Sequence, residues 1–187
     1  MVKVFGQLAV LGLGVALLNA CQSIDTTRIK NVEETTTMQS NALVYCIGTE
    51  NCEFERLDTI QIVDAQSHRL NGNAIKQGVV RLQAQSLHQS NALYLSVPAG
   101  LHELVIRFYP ISPQQAEKLH VIHQFKAKQN YSFKMYRERS KRQGSLLNVS
   151  APDPLCVDLL QEQKVIRRFC RPYDVVTGVS EFVEQKI

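Results

Sequence analysis

Leu93-Tyr94-Leu95-Ser96-Val97-Pro98-Ala99-Gly100-Leu101-His102-Glu103-Leu104-Val105-Ile106-Arg107-Phe108-Tyr109 is the segment from which the fold can be read. Leu93, Leu95 and Val97 alternate with Tyr94 and Ser96, and His102, Leu104, Ile106 and Phe108 alternate with Glu103, Val105, Arg107 and Tyr109. A period of two puts successive side chains on opposite faces of a strand, so each half has one face to bury. Pro98, Ala99 and Gly100 reverse the chain between them, and the whole reads as a hairpin.

The same pattern recurs on both sides. Asn41 to Tyr45, Leu57 to Val63 and Gly78 to Leu82 read as strands, separated by the turn formers Asp64-Ala65-Gln66-Ser67 and Asn71-Gly72-Asn73. Leu119, Val121, His123, Phe125 and Ala127 resume the alternation, followed by Tyr131, Phe133 and Met135, then by Leu146 to Val149. Two helical signals interrupt it. Ser112-Pro113-Gln114-Gln115 has a capping residue, a proline suited to the first helical position and a Gln completing a capping box, which predicts a short helix near residues 112–118. Val179, Phe182 and Val183 fit one face of a C-terminal helix. With many short strands and no βα repeat, the chain is expected to be all-β: an antiparallel two-sheet β-sandwich of about eight strands, with a partly closed barrel as the competitor.

The chain has 187 residues, 44% of them hydrophobic and 20% charged, enough for one globular core. Lys and Arg number 21 against 17 Asp and Glu, a net charge of +4 that is too small to argue for nucleic-acid binding. No apolar run reaches the roughly 20 residues of a membrane-spanning helix. The first 20 residues carry a different message. Lys3 is followed by Val4 to Leu18, apolar apart from Gln7, which is the pattern of an export signal. It ends in Leu18-Asn19-Ala20-Cys21, which resembles the lipobox of bacterial lipoproteins: an aliphatic residue three before the cysteine, a small one directly before it, and the thiol that takes the lipid. The resemblance implies that residues 1–20 are removed, that Cys21 is acylated, and that the protein is held on a membrane. Gln22 stands where an Asp would favour retention in the inner membrane, so the implied place is the periplasmic face of the outer membrane. Residues 21–40, from the acylated Cys21 through the polar, Thr-rich Gln22 to Ser40, read as a flexible tether reaching about 25 Å, with residues 41–187 as one periplasmic domain. The other reading lets Ile24, Ile29 and Val32 pack on that domain.

Cys46, Cys52, Cys156 and Cys170 remain, an even number in a compartment that oxidises thiols. Three pairings are open. Local arguments favour Cys46–Cys52, which closes a loop of turn formers, and Cys156–Cys170, whose flanking segments read as hairpin strands around residues 161–164. Leu95 to Ile106 also resembles the "apolar-x-Pro-x-Gly-x-His-x-apolar" hairpin of PEGA-like envelope β-sandwich domains, over roughly residues 93 to 137. That resemblance implies a sandwich with an accessory or display role and brings no catalytic residue.

Catalytic and cofactor signatures are missing: no Gly-x-Ser-x-Gly elbow, His-Glu-x-x-His helix or phosphate-binding Gly loop occurs. The carboxylates Asp58, Asp64, Glu103 and Asp158 are scattered, and neither the cysteines nor His68, His88, His102, His120 and His123 have the spacing of a zinc site, so no metal and no cofactor are expected. One basic group stands out. Lys134, Arg137, Arg139, Lys141 and Arg142 surround a turn with Glu138 as the only acid, and Arg167, Arg168 and Arg171 form a second group. Such charges either guard a strand edge or form a patch for anionic lipid, a cell-wall polymer or an acidic protein partner. The expected function is therefore that of a non-catalytic adaptor or structural component of an envelope assembly. The alternative is a small hydrolase or ligand-carrying protein, which a pocket with converging His, Tyr and carboxylate groups would favour.

Overall fold

The computed structural model describes residues 24–87, 89–138, 153–171 and 180–187. Among the described residues eleven strands run in the order β1 (Ala42–Ile47), β2 (Asn51–Leu57), β3 (Ile60–Gln61), β4 (Val80–Leu82), β5 (Leu93–Val97), β6 (Gly100–Ser112), β7 (Gln115–Phe125), β8 (Asn130–Arg137), β9 (Leu155–Gln161), β10 (Lys164–Arg171) and β11 (Val183–Gln185). They form a seven-stranded sheet of order β11-β10-β9-β8-β1-β5-β4 and a four-stranded sheet of order β3-β2-β6-β7. The fold is the all-β sandwich expected from the alternation.

The core follows from that period of two. In β1, Ala42, Val44 and Cys46 are buried and alternate with Leu43, Tyr45 and Ile47; in β8, Tyr131, Phe133 and Met135 alternate with Ser132, Lys134 and Tyr136. From the small sheet, Phe54, Leu104, Ile106, Phe108, Leu119 and Val121 are buried in the same cluster. Each large side chain removed from water contributes about 1.5–3 kcal/mol, which is why a sandwich this size needs both inner faces filled. Cys46–Cys52 joins β1 to β2 and so ties one sheet to the other. Cys156–Cys170 bridges β9 and β10, where the two cysteines are directly opposed in the ladder.

Strand pairing departs from the sequence reading in several places. The Pro98-Ala99-Gly100 turn does not close a hairpin: β5 pairs with β1 and β4 in the large sheet, while β6 pairs with β2 and β7 in the small one. Alternation marks strands but not partners, and Gly100, at φ 151°, lets the chain leave one sheet for the other in a conformation L residues rarely adopt. β1 and β8 pair in parallel, so the large sheet is mixed rather than wholly antiparallel. Leu57 to Val63 is not one strand. Asp58, at φ 49°, turns the chain between β2 and β3, held there because its carboxylate accepts from Glu103 N and bonds His102 Nδ1. Residues 112–118 are not helical: β6 ends at Ser112 and β7 begins at Gln115, paired across Pro113 and Gln114. Proline fits the second position of a tight turn as well as the first turn of a helix, and two long strands decide between them. At the C-terminus, Val183–Gln185 is a strand antiparallel to β10 where a helical face was expected. The strand expected at Leu146 to Val149 lies outside the described residues.

The tether reading is corrected over residues 24–40. Residues 24–30 are helical, Met38–Ser40 is a 3-10 turn, and Ile29 is 3% exposed within the core cluster. The buried Arg81 donates to Val32 O, so polar composition did not keep this segment off the domain. The apolar side chains Ile29 and Val32 outweigh the polar ones between them because both reach the core.

Candidate functional site

Four segments meet at one end of the sandwich: β2, the loop at residues 63–72, the loop at residues 83–92 and the helical residues 24–30. They enclose a cleft of about 940 Å³. Phe54, Val63, Leu70, Leu87 and Leu93 supply its apolar lining, and Glu53, His68, Arg69 and Asn91 its polar one. Local hydrogen bonds hold the loops in that shape. Asp64 Oδ1 accepts from Gln66 N, Ser67 N and Ser67 Oγ, which pulls its carboxyl down to about 2. Asn71 caps the short helix Gly72–Lys76 by accepting from Asn73 N. Asn91 is buried, accepts from Cys52 N at 2.9 Å and donates to Glu50 O, which fixes the second loop against β2.

Glu53 is the polar centre of the cleft wall. It receives Tyr109 Oη–H at 2.6 Å, lies 3.0 Å from His68 Nδ1, and pairs with Arg107 at 3.2 Å. Arg107 is 4% exposed and donates to Ala65 O and Asp64 O. Its Nε stands 3.2 Å from Glu55 Oε2, close enough to pair electrostatically but not aligned as a hydrogen bond. Lys118 completes the group at 3.1 Å from Glu55. Burial and the Glu53 carboxylate push the Tyr109 phenol well above its ordinary range. A His, a Tyr and a carboxylate thus converge, but Ser67, the nearest hydroxyl in the sequence, is held by Asp64. No nucleophile is hydrogen-bonded to His68 among the described residues. The arrangement orients an imidazole and sets the charge of a wall.

The sequence reading singled out none of Glu53, His68 and Tyr109 as a set, although Glu53-Phe54-Glu55 facing Arg107 has the alternating form of an ion-paired strand. Lys134 and Arg137 are exposed on β8 but three residues apart, hence on opposite faces, and Arg137 donates to Asp153 O. Arg139, Lys141, Arg142 and Cys21 lie outside the described residues. The second basic group is internally neutralised: Arg167 forms a two-pronged pair with Glu184 at 2.7 Å, Arg168 does the same with Asp158 at 2.7 and 2.9 Å, and Arg171 pairs with Glu117. Such forked pairs hold the guanidinium planes in place and leave little net field. Asp58 and Glu103 are likewise engaged, with His102 and Arg56. Among the described residues Glu138, Cys156 and Cys170 form a group of metal-donor atoms, but its sulfurs are joined in the disulfide and offer no thiolate.

At the other end of the sandwich His102 and His123 are cross-strand partners on β6 and β7. His123 sits edge-on to Phe125 and Tyr131, and its Nε2 is buried without a partner. Burial, with Arg167 nearby, holds its imidazole below the ordinary histidine range against the opposing pull of Glu184. The folded state therefore prefers His123 neutral. Its contribution is intact above about pH 6.5 and declines as the pH falls below that value, where the unfolded chain takes up the proton more readily. His123→Leu is expected to shrink the loss of urea midpoint between pH 7.5 and pH 5 relative to the parent; an unchanged difference would place the pH sensitivity elsewhere.

No protein-family model, no curated protein and no solved structure matches the chain.

Proposed function

We propose that the chain is an envelope lipoprotein, acylated at Cys21 and held at the periplasmic face of the outer membrane, whose β-sandwich is a non-catalytic binding module of an envelope assembly. The observation that carries this reading is the cysteine usage. Cys46, Cys52, Cys156 and Cys170 are consumed in two disulfides, which suits an oxidising compartment, and of the five cysteines this leaves Cys21, directly after an apolar export-like segment. A core filled from both sheets, with Arg167, Arg168 and Arg171 tied up in ion pairs, supports a protein that holds partners through its rims and loops. An envelope protein is the partner class in view, with anionic lipid or a cell-wall polymer as further ligands.

The alternative of a small hydrolase or ligand-carrying protein gains from the cleft, where His68, Tyr109 and the Glu53 carboxylate converge. The test of the anchor is direct. Cells fed an alkyne-tagged fatty acid are expected to label the parent protein and leave Cys21→Ser unlabelled, with the variant leaving the membrane fraction. A labelled variant, or an unlabelled parent, would end the lipoprotein reading.

A further inference from the structure

Ile24 lines the cleft, and only three residue steps separate it from Cys21. A fully extended chain covers at most about 3.6 Å per residue, so the acylated residue stands no more than about 11 Å from the cleft rim. The next residues give no slack, because 24–30 are helical, Ile29 is seated in the core and Arg81 holds Val32 O. We infer that the cleft is a membrane-facing site that takes the acyl portion of a phospholipid drawn from the bilayer to which the short N-terminal link holds it. This rests on the reading of Cys21 as the lipid-bearing residue.

The cleft's chemistry suits an amphiphile. Ile24, Leu70, Leu87 and Leu93 give an apolar surface for methylenes, floored by the buried Phe54 and Val63, and about 940 Å³ is the scale of a small-molecule site. His68 and Arg69 are exposed at its mouth, and Arg69 is placed for a phosphate while His68 Nδ1 is held by Glu53. Glu53, the acid of the wall, shares Arg107 with Glu55, which Lys118 also pairs, and Asp25 is paired with Arg28, so neither opposes an anionic headgroup with an unbalanced charge. A bilayer phospholipid is favoured over the acyl chains of Cys21 itself, since burying those chains would remove the anchor from the membrane.

The full chain, purified from membranes and placed in phosphatidylglycerol vesicles carrying a phospholipid with a diazirine in its acyl chain, provides the experiment. After irradiation, adducts are expected on peptides containing Leu70, Leu87 and Leu93 and not on Leu101, which is exposed on β6. Ser90→Trp, a substitution at an exposed rim position, is expected to reduce those adducts about tenfold while the melting temperature is kept. Adducts spread evenly over the surface, or unaffected by Ser90→Trp in a folded variant, would overturn the site. So would cross-links from a diazirine fatty acid attached at Cys21 into the same peptides, which would make the occupant the chain's own lipid. Fatty-acid labelling of the same preparation separates the two readings: label at Cys21 without cleft adducts rejects the site alone, whereas no label at Cys21 rejects the anchor and with it the membrane-facing placement.

Discussion

Arg107→Met is expected to destabilise the fold by about 3–5 kcal/mol, the usual consequence of stripping one partner from a buried ion pair. Methionine keeps much of the side chain's length, so little cavity forms and the loss is electrostatic. What remains is Glu53 and Glu55, two carboxylates on one strand with their shared guanidinium gone, together with Ala65 O without its Arg107 donor and Asp64 O left with His68 N. Lys118 still reaches Glu55, but Glu53 keeps only Tyr109 and His68. The double variant Glu53→Gln with Arg107→Met should recover part of the loss, because the unpaired charge is then absent; a single variant that melts like the parent would show the network to be ornamental to stability. Arg107→Lys should fall between, since an ammonium keeps the charge but cannot reach two carboxylates and two carbonyls in a fixed fork. The loop at residues 63–72 is fastened by those carbonyl bonds, so hydrogen exchange there should rise in the Met variant before the core strands respond.

The strands themselves were legible because half-buried strands write their period into the sequence, as Leu95 and Val97 or Phe133 and Met135 do. Which strands pair was not. Val97 and Leu104 belong to different sheets although only the Pro98-Ala99-Gly100 turn and a few residues lie between them, and β8 meets β1 in parallel across more than eighty residues of chain. Pairing of that kind is settled by the whole set of inner faces, which no local window contains. The disulfides were easier, since Cys156 and Cys170 stand at mirrored places on a hairpin whose turn residues, Glu162 and Gln163, both take positive φ. The capping-box signal at Ser112 misled because turn and helix start draw on the same residues, and the signal says nothing about the strands on each side. The cleft was invisible for a plainer reason. Glu53, His68, Arg107 and Tyr109 come from two strands and a loop, and it is the register Asn51↔Tyr109 and Glu53↔Arg107 that brings the first strand's acids to the second strand's donors.

Phe133→Ala should be among the most damaging single changes, costing about 3–5 kcal/mol. The side chain is fully buried, and its strand carries the connection between the two halves of the large sheet: β8 is paired with β1 on one side and β9 on the other, placing Phe133 opposite Cys46 and Leu159. Removing the ring opens a cavity between strands far apart in sequence, and neighbours held by a ladder on both sides cannot collapse into it. Against a total stability of about 5–15 kcal/mol for a domain of this kind, such a loss should lower the urea midpoint by a large fraction of its value. Lys134→Ala, one residue further along the same strand, is expected to change the stability by no more than about 0.5 kcal/mol, because its side chain points out of the sandwich. The contrast between the pair tests the register as well as the packing: a slip of β8 by one residue would exchange the two positions, and a costly Lys134→Ala beside a harmless Phe133→Ala would mean that the strand lies the other way up.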